Sequence, residues 1–143
     1  MDTTSLRPWI FSDMTRISPP LRVLVVDDEA LIRWSLVETL TDTGHEAVAA
    51  TDGCSAVRAL SETTVPFDVM LLDFRLPDSN DLRLLSQVRR LAPRTQVVLM
   101  TAYGTPEVVK GAIDLGAFRV VGKPLEMGEV PALVAQAYAA RPW

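Results

Sequence analysis

The chain has 143 residues, of which 48% are hydrophobic and 22% are charged, and its formal net charge is −4. This length and composition predict one domain with a sizeable core, which excludes the disordered and membrane-spanning classes. The acidic balance argues against a nucleic-acid-binding surface. The single cysteine, Cys54, excludes an internal disulfide and predicts a reducing, cytoplasmic setting.

Residues 1–20 differ in composition from the rest of the chain. They mix polar residues with three prolines and show no hydrophobic period, which is typical of a poorly ordered arm. The apolar triplet at residues 9–11 is too short for a signal peptide or a membrane span. We therefore predict an N-terminal arm over residues 1–20 and a folded domain over residues 21–141.

Four short runs rich in valine and leucine alternate with segments of helical periodicity. The runs cover residues 23–26, 69–72, 97–100 and 120–121. Because they lack a polar–apolar alternation, they are typical of strands covered on both faces in a parallel sheet. With a further short strand at residues 46–50 and five helices, the pattern predicts a doubly wound α/β sandwich.

The fourth predicted helix has a start signal and a stop signal in the sequence. Thr105 is an N-cap residue before a proline, and Gly116 is a C-terminal stop signal. Between them, Val109, Ala112 and Ile113 have helical spacing. This spacing predicts that these three side chains form the buried face of the helix.

Each of the four runs stops at a polar residue of a different chemistry. Asp27 and Asp28 follow the first run, Asp73 the second, Thr101 the third and Lys123 the last. The carboxyl ends of parallel strands share one edge of the sheet, and ligands bind in the crevice outside that edge. The sequence therefore predicts one pocket that contains three acids, a hydroxyl and an ammonium group.

Three carboxylates in one pocket repel each other unless a cation joins them. Mg²⁺ prefers oxygen ligands and is typically held by one or two carboxylates together with phosphate oxygens. A lysine and a hydroxyl beside the metal suit a transferring phosphoryl group, and a carboxylate can be its nucleophile. The alternative that Asp28 only caps the first helix is disfavoured by the presence of Asp73 and Lys123.

Four segments carry a resemblance to a known family. They are VVDDE at residues 25–29, LLDFRLP at 71–77, MTAYG at 100–104 and GKPL at 122–125. In this order they resemble the signature segments of the receiver (CheY-like) domains of two-component response regulators. The match covers residues 21 to about 140, and the last two segments are most similar to receivers of the nitrogen-regulatory (NtrC) type.

The resemblance implies a fold, a cofactor and partners. The fold would be flavodoxin-like, with a five-stranded parallel sheet in strand order 2-1-3-4-5 and five helices. A sensor histidine kinase or phosphotransfer protein would donate a phosphoryl group in a reaction that requires Mg²⁺. The domain would not be an enzyme in the ordinary sense, because it would catalyse only its own phosphorylation and dephosphorylation. A homodimer could form through the fourth helix, fifth strand and fifth helix, while nucleic acid and membranes are not expected partners.

The resemblance also assigns roles to residues. Asp73 would accept the phosphoryl group, Asp28 would bind Mg²⁺ directly and Asp27 would bind it mainly through water. Arg75 would contribute its backbone carbonyl to the metal. Thr101 and Lys123 would then contact oxygens of the transferred phosphoryl group.

Further positions concern modulation and switching. Arg75, Ala102 and Tyr103 would flank the phosphoryl group, and Pro124 would follow a cis peptide bond. Large side chains at Arg75 and Tyr103 are expected to exclude the hydrolytic water. Val120 stands where the family usually has an aromatic switch residue, so Tyr103 could replace that ring.

Three alternatives belong to other functional classes. A phosphatase of the haloacid dehalogenase type would need a second acid two residues after the nucleophile, where this chain has Arg75. A flavin-binding protein of the same fold class would need a phosphate-binding loop after the first strand. A non-phosphorylated pseudo-receiver that only binds partners is the remaining alternative.

Overall fold

The computed structural model describes residues 20–142, and the predicted arm over residues 1–20 lies outside them except for its last residue. Five strands alternate with five helices along this part of the chain. The strands are β1 Arg22–Val26, β2 Glu46–Ala50, β3 Val69–Asp73, β4 Gln96–Thr101 and β5 Arg119–Gly122. The helices are α1 Ala30–Asp42, α2 Gly53–Glu62, α3 Arg83–Leu91, α4 Pro106–Asp114 and α5 Val130–Ala139, with a 3₁₀ turn at Met127–Glu129 before α5.

The strands form one parallel sheet in the order β2-β1-β3-β4-β5. This confirms the doubly wound α/β fold and the strand order 2-1-3-4-5. In register, Val26 lies opposite Leu72, and Asp73 lies opposite Met100. The ends of β1, β3 and β4 are therefore level, which places the residues that follow them at one edge.

The helices cover both faces of the sheet. Alternate strand residues such as Val25 and Leu71 pack with Leu36 of α1 and Val134 of α5. The opposite face contains the intervening strand residues. They pack with buried residues of α2, α3 and α4, which include Ala56, Leu60, Leu84, Leu85, Val88 and Ala112. Both faces of the central strands are thus covered, as their uninterrupted apolar sequences predict.

Helix α4 departs from its predicted packing. Ala112 is buried, but Val109 is 37% exposed and Ile113 is 46% exposed, so the predicted buried face is wrong at two of three positions. A Cβ atom at Gly111 would lie 2.7 Å from Leu82 Cδ1. The helix therefore contacts the domain through Gly111, Ala112 and the partly buried Val108, while Val109 and Ile113 stay on the outside.

The start and stop signals of α4 are confirmed. The Thr105 hydroxyl accepts a hydrogen bond from Val108 N at 3.3 Å, and Pro106 lies in the first turn. Gly116 has a φ of +101° after the helix ends. Among residues 20–142, none of the helices is both long and apolar enough to cross a membrane.

We predict that Gly116→Ala lowers the free energy of unfolding by about 1–3 kcal/mol, because its positive φ disfavours a Cβ atom. The added Cβ would also lie 3.0 Å from Arg89 Nε. Gly128→Ala is the matched control, since its Cβ would meet nothing within 4 Å. Urea unfolding of both variants checks this prediction, and equal unfolding free energies would contradict it.

Candidate functional site

The sheet edge brings the predicted acids together. Asp27 directly follows β1, and its amide donates a hydrogen bond to the Ala50 carbonyl oxygen of β2 at 3.2 Å. Asp73 is the last residue of the central strand β3. Both side chains are buried, because β1 and β3, which lead to them, lie inside the sheet. Asp28 is exposed at the rim.

A fourth carboxylate belongs to this cluster. Asp27, Asp28, Glu29 and Asp73 each place one carboxylate oxygen within 4.8 Å of the others. Sequence reasoning did not assign a role to Glu29. The available signal was its position directly after the acid pair and one residue before α1 begins.

Lys123 supplies the positive charge of the site. Its Nζ lies 2.8 Å from Asp27 Oδ2, 3.1 Å from Asp73 Oδ2 and 3.1 Å from Glu29 Oε1. The Lys123 side chain is only 9% exposed. One ammonium group therefore contacts three carboxylates at once, and it reduces the repulsion between them.

The oxygen atoms of Asp27 are also contacted by neighbouring groups. Its Oδ1 accepts a hydrogen bond from the amide of Glu29 at 2.9 Å, and its carbonyl oxygen accepts one from Arg33 Nη1 at 2.9 Å. Its Oδ2 is buried and has Lys123 as its charge partner, but no described residue donates to it in hydrogen-bond geometry. Sequence reasoning missed Arg33, because nothing local indicates that its side chain reaches back to Asp27.

The environment of Asp73 raises the pKa of its carboxyl group. Burial raises the pKa of Asp73 from 3.8 to about 6, and the charge of Asp27 adds to this effect. Hydrogen bonds from Lys123 and from the Arg75 amide act in the opposite direction. The Arg75 amide lies 3.3 Å from Asp73 Oδ1.

The protonation of Lys123 is secured by its neighbours. Burial lowers the pKa of Lys123, but the contacts with Asp27 and Asp73 outweigh burial and raise the pKa above the usual lysine range. The group is therefore a permanent cation at physiological pH.

Thr101 lies at the same edge, at the end of β4. It is buried, its hydroxyl accepts a hydrogen bond from Tyr103 N at 3.2 Å, and its carbonyl accepts one from Lys123 N at 2.9 Å. The first bond lies within the loop after β4, and the second connects the end of β4 to the segment after β5. The peptide bond between Lys123 and Pro124 is cis, as the resemblance implies.

The proposed modulating residues lie at the rim. The Tyr103 side chain is 74% exposed, and Arg75 and Ala102 are also exposed. Val120 is partly buried and packs against the core on the side of α2, α3 and α4. The structure thus places Tyr103 outside the core, while the position of the usual aromatic residue carries a packed aliphatic side chain.

The donor set fits Mg²⁺. Four carboxylates converge, and among the described residues the buried Asp27 Oδ2 is contacted only by a cation, the Lys123 ammonium. Hard oxygen ligands with room left for water are the environment that Mg²⁺ requires. The carboxylates at this edge of the sheet are the groups that would hold Mg²⁺.

Comparisons with known proteins agree with this arrangement. The sequence model for the response regulator receiver domain matches residues 23–135. This chain is a receiver domain of the response regulator family. Receiver domains generally bind Mg²⁺ in an acidic pocket, and they interact with histidine kinases or phosphotransfer proteins.

The relatives include NtrC proteins. The receiver domain is 36% identical over 115 residues to the DNA-binding transcriptional regulator NtrC of Escherichia coli (strain K12), covering 80% of this chain and 24% of that protein. It therefore spans about a quarter of the length of this relative. The alternatives of a phosphatase, a flavin-binding protein and a non-phosphorylated pseudo-receiver are not favoured by these matches.

Solved structures show the same fold. A CheY-like receiver domain from Methanospirillum hungatei JF-1 superposes with a TM-score of 0.79 at 23% identity, covering 85% of this chain and 95% of that one. NtrX from Brucella abortus superposes with a TM-score of 0.76 at 30% identity, covering 85% of this chain and 27% of that one.

We predict that the metal-free receiver domain loses stability as the pH rises through the folded-state pKa of Asp73. The folded carboxyl group has a pKa of about 6, against an ordinary aspartate pKa of 3.8. The folded state therefore binds more protons between these values, and its extra stability is present below about pH 4 and lost above pH 6.

Asp73→Asn removes this titration. In EDTA, its melting temperature should exceed that of the wild type at pH 7.5, and the difference should shrink towards pH 4. Thermal melts at several pH values measure this difference. A pH-independent difference between the two proteins would contradict the assignment.

Proposed function

We propose that this receiver domain, over residues 21–141, accepts a phosphoryl group on Asp73 and thereby switches its protein contacts in phosphorelay signalling. The observation that carries the proposal is the position of Asp73. This residue ends the central strand, is 5% exposed, contacts Lys123 and belongs to the same carboxylate cluster as the acid pair Asp27–Asp28. An acid in this position can act as a nucleophile while its negative charge is balanced.

The transfer forms one bond and breaks one bond. An oxygen of ionised Asp73 attacks phosphorus, and the bond from phosphorus to the donor's leaving group breaks. When the donor is a phosphohistidine of a sensor histidine kinase or phosphotransfer protein, the leaving group is an imidazole nitrogen. The product is an aspartyl phosphate in which the carbonyl oxygen of Asp73 remains free to accept hydrogen bonds.

Mg²⁺ supplies charge neutralisation at the oxygens of the transferring group when it is bound. Asp28 and Asp73 would hold it directly, with the Arg75 backbone carbonyl as a further ligand. Asp27 would hold it mainly through water. The convergence of these carboxylates at the sheet edge supports this ligand set.

Thr101 and Lys123 would stabilise the product. Lys123 already contacts Asp73 Oδ2 at 3.1 Å, so its ammonium is positioned to pair with an oxygen of the new phosphoryl group. The Thr101 hydroxyl is buried at the end of the neighbouring strand and can donate a hydrogen bond to a second oxygen.

The output surface that we propose comprises α4, β5 and α5. The exposed apolar residues Val109, Ile113 and Leu115 lie on α4 or directly after it. Movement of Thr101 towards the phosphoryl group would shift the Tyr103 loop before α4, and a homodimer or partner contact could respond to this shift.

Asp73→Asn should abolish phosphorylation, because the amide is a poor nucleophile. Intact-mass measurement after incubation with acetyl phosphate and Mg²⁺ should show one added phosphoryl group on the wild type and none on this variant. Asp42→Asn is the matched control, since Asp42 is an exposed residue at the end of α1. A full phosphoryl mass on Asp73→Asn would refute the assignment.

Asp28→Ala tests the metal ligand set in the same assay. It should reduce labelling and remove most of its dependence on Mg²⁺ concentration. Labelling with an unchanged Mg²⁺ dependence would rule out Asp28 as a ligand.

The side chains at the rim should affect the lifetime of the phosphorylated state. Arg75 and Tyr103 are both large, and when they fold over the phosphoryl group they exclude the hydrolytic water. We expect the double variant Arg75→Ala, Tyr103→Ala to lose its phosphoryl group faster than the wild type. Intact-mass time courses after removal of acetyl phosphate give both rates, and equal rates would refute the shielding hypothesis.

A further inference from the structure

Glu29 is a carboxylate of the site for which the phosphoryl transfer described above gives no role. Its Oε1 lies 3.1 Å from Lys123 Nζ. The same ammonium lies 2.8 Å from Asp27 Oδ2 and 3.1 Å from Asp73 Oδ2. Lys123 thus occupies a position between the two buried acids where a metal ion would also be attracted.

The three carboxylate partners of Lys123 differ in burial. The Asp27 side chain is fully buried and that of Asp73 is 6% exposed, whereas the Glu29 side chain is 59% exposed. Asp27 is also fixed by the Glu29 amide at Oδ1 and by Arg33 at its carbonyl oxygen. Glu29 is therefore the partner whose side chain has room to follow a displaced ammonium group.

A divalent cation held directly by Asp28 and Asp73, and through water by Asp27, would repel the nearby ammonium of Lys123. The Lys123 side chain is 9% exposed, so it has little contact with water that could replace a lost partner. Leaving a buried charge without a partner is strongly unfavourable. The remaining carboxylate within contact distance is Glu29.

We propose that Glu29 is a positioning residue that retains Lys123 when Mg²⁺ binds at Asp28 and Asp73 and draws Asp27 towards it through water. Metal binding is then an exchange of cations, in which the ammonium gives up two buried carboxylates and keeps the exposed one. Lys123 stays beside Asp73 in a charged, oriented state, from which it can reach an incoming phosphoryl oxygen. This inference rests on the proposed function. It specifies what happens to Lys123 when Mg²⁺ binds at the site.

Two other roles for Glu29 must be distinguished from this one. Glu29 belongs to the four-carboxylate cluster, so it could bind the metal itself, or it could attract the metal through its charge alone. In either case its effect on Mg²⁺ affinity would not depend on Lys123. A role that acts through the ammonium requires Lys123 to be present.

A double-mutant cycle separates these roles. Mg²⁺ dissociation constants are measured by calorimetry or amide chemical shifts for the wild type, Glu29→Gln, Lys123→Met and the double variant. Glu29→Gln should weaken Mg²⁺ binding about 2- to 5-fold in the presence of Lys123, as expected for a partly exposed ion pair. In the Lys123→Met background the same substitution should change the constant by less than about 1.5-fold.

Glu38→Gln is the matched control, because it removes an equal charge from an exposed position on α1. It should leave Mg²⁺ affinity within about 1.5-fold of the wild type. An equal weakening by Glu29→Gln in both backgrounds, or no weakening in either, would overturn the positioning role. Failure of the proposed function itself would look different, since the wild type would then neither bind Mg²⁺ nor gain a phosphoryl group.

Discussion

The contact of one ammonium group with three carboxylates is the interaction on which the site depends. Without Lys123, Asp27 and Asp73 would lie together in a buried position with their charges uncompensated. The balance is incomplete even with it, because the pKa of Asp73 remains raised to about 6 by burial and by Asp27. The site thus has an excess of negative charge, and this excess favours the binding of a further cation.

The sheet holds the like charges of this site close together. The buried strands β1 and β3 are level at their carboxyl ends, and their register is fixed by apolar packing on both faces. The strands hold Asp27 and Asp73 close together because separating them would disrupt the core. Burial of valine and leucine thus stabilises an arrangement of charges that would not persist on a flexible loop.

The loop after Asp73 is anchored at two points. The Asp78 carboxylate accepts hydrogen bonds from Gly53 N at 2.7 Å and from Cys54 N at 2.9 Å, which are the first amides of α2. At the other end, Leu82 lies against Gly111 of α4. The segment that begins at Asp73 is therefore connected to α2 and to α4 by these contacts.

Local patterns in the sequence determined much of this protein. Uninterrupted apolar runs defined the four strands, and the polar residues that end them predicted the acid pocket, because parallel strands share one carboxyl edge. The signals at Thr105 and Gly116 also located α4 correctly. These features depend on near neighbours in the chain, so periodicity and capping rules capture them.

Only the tertiary structure decided which side chains meet and which remain exposed. The contact between Lys123 and Glu29 joins residues 94 positions apart, and no local signal indicates that Arg33 reaches the Asp27 carbonyl. Of the three residues with helical spacing on α4 only Ala112 is buried, and Val108 and Gly111 complete the contact of the helix with the domain. Helical spacing gives the direction of side chains around an axis, whereas burial depends on where the rest of the fold places its surfaces.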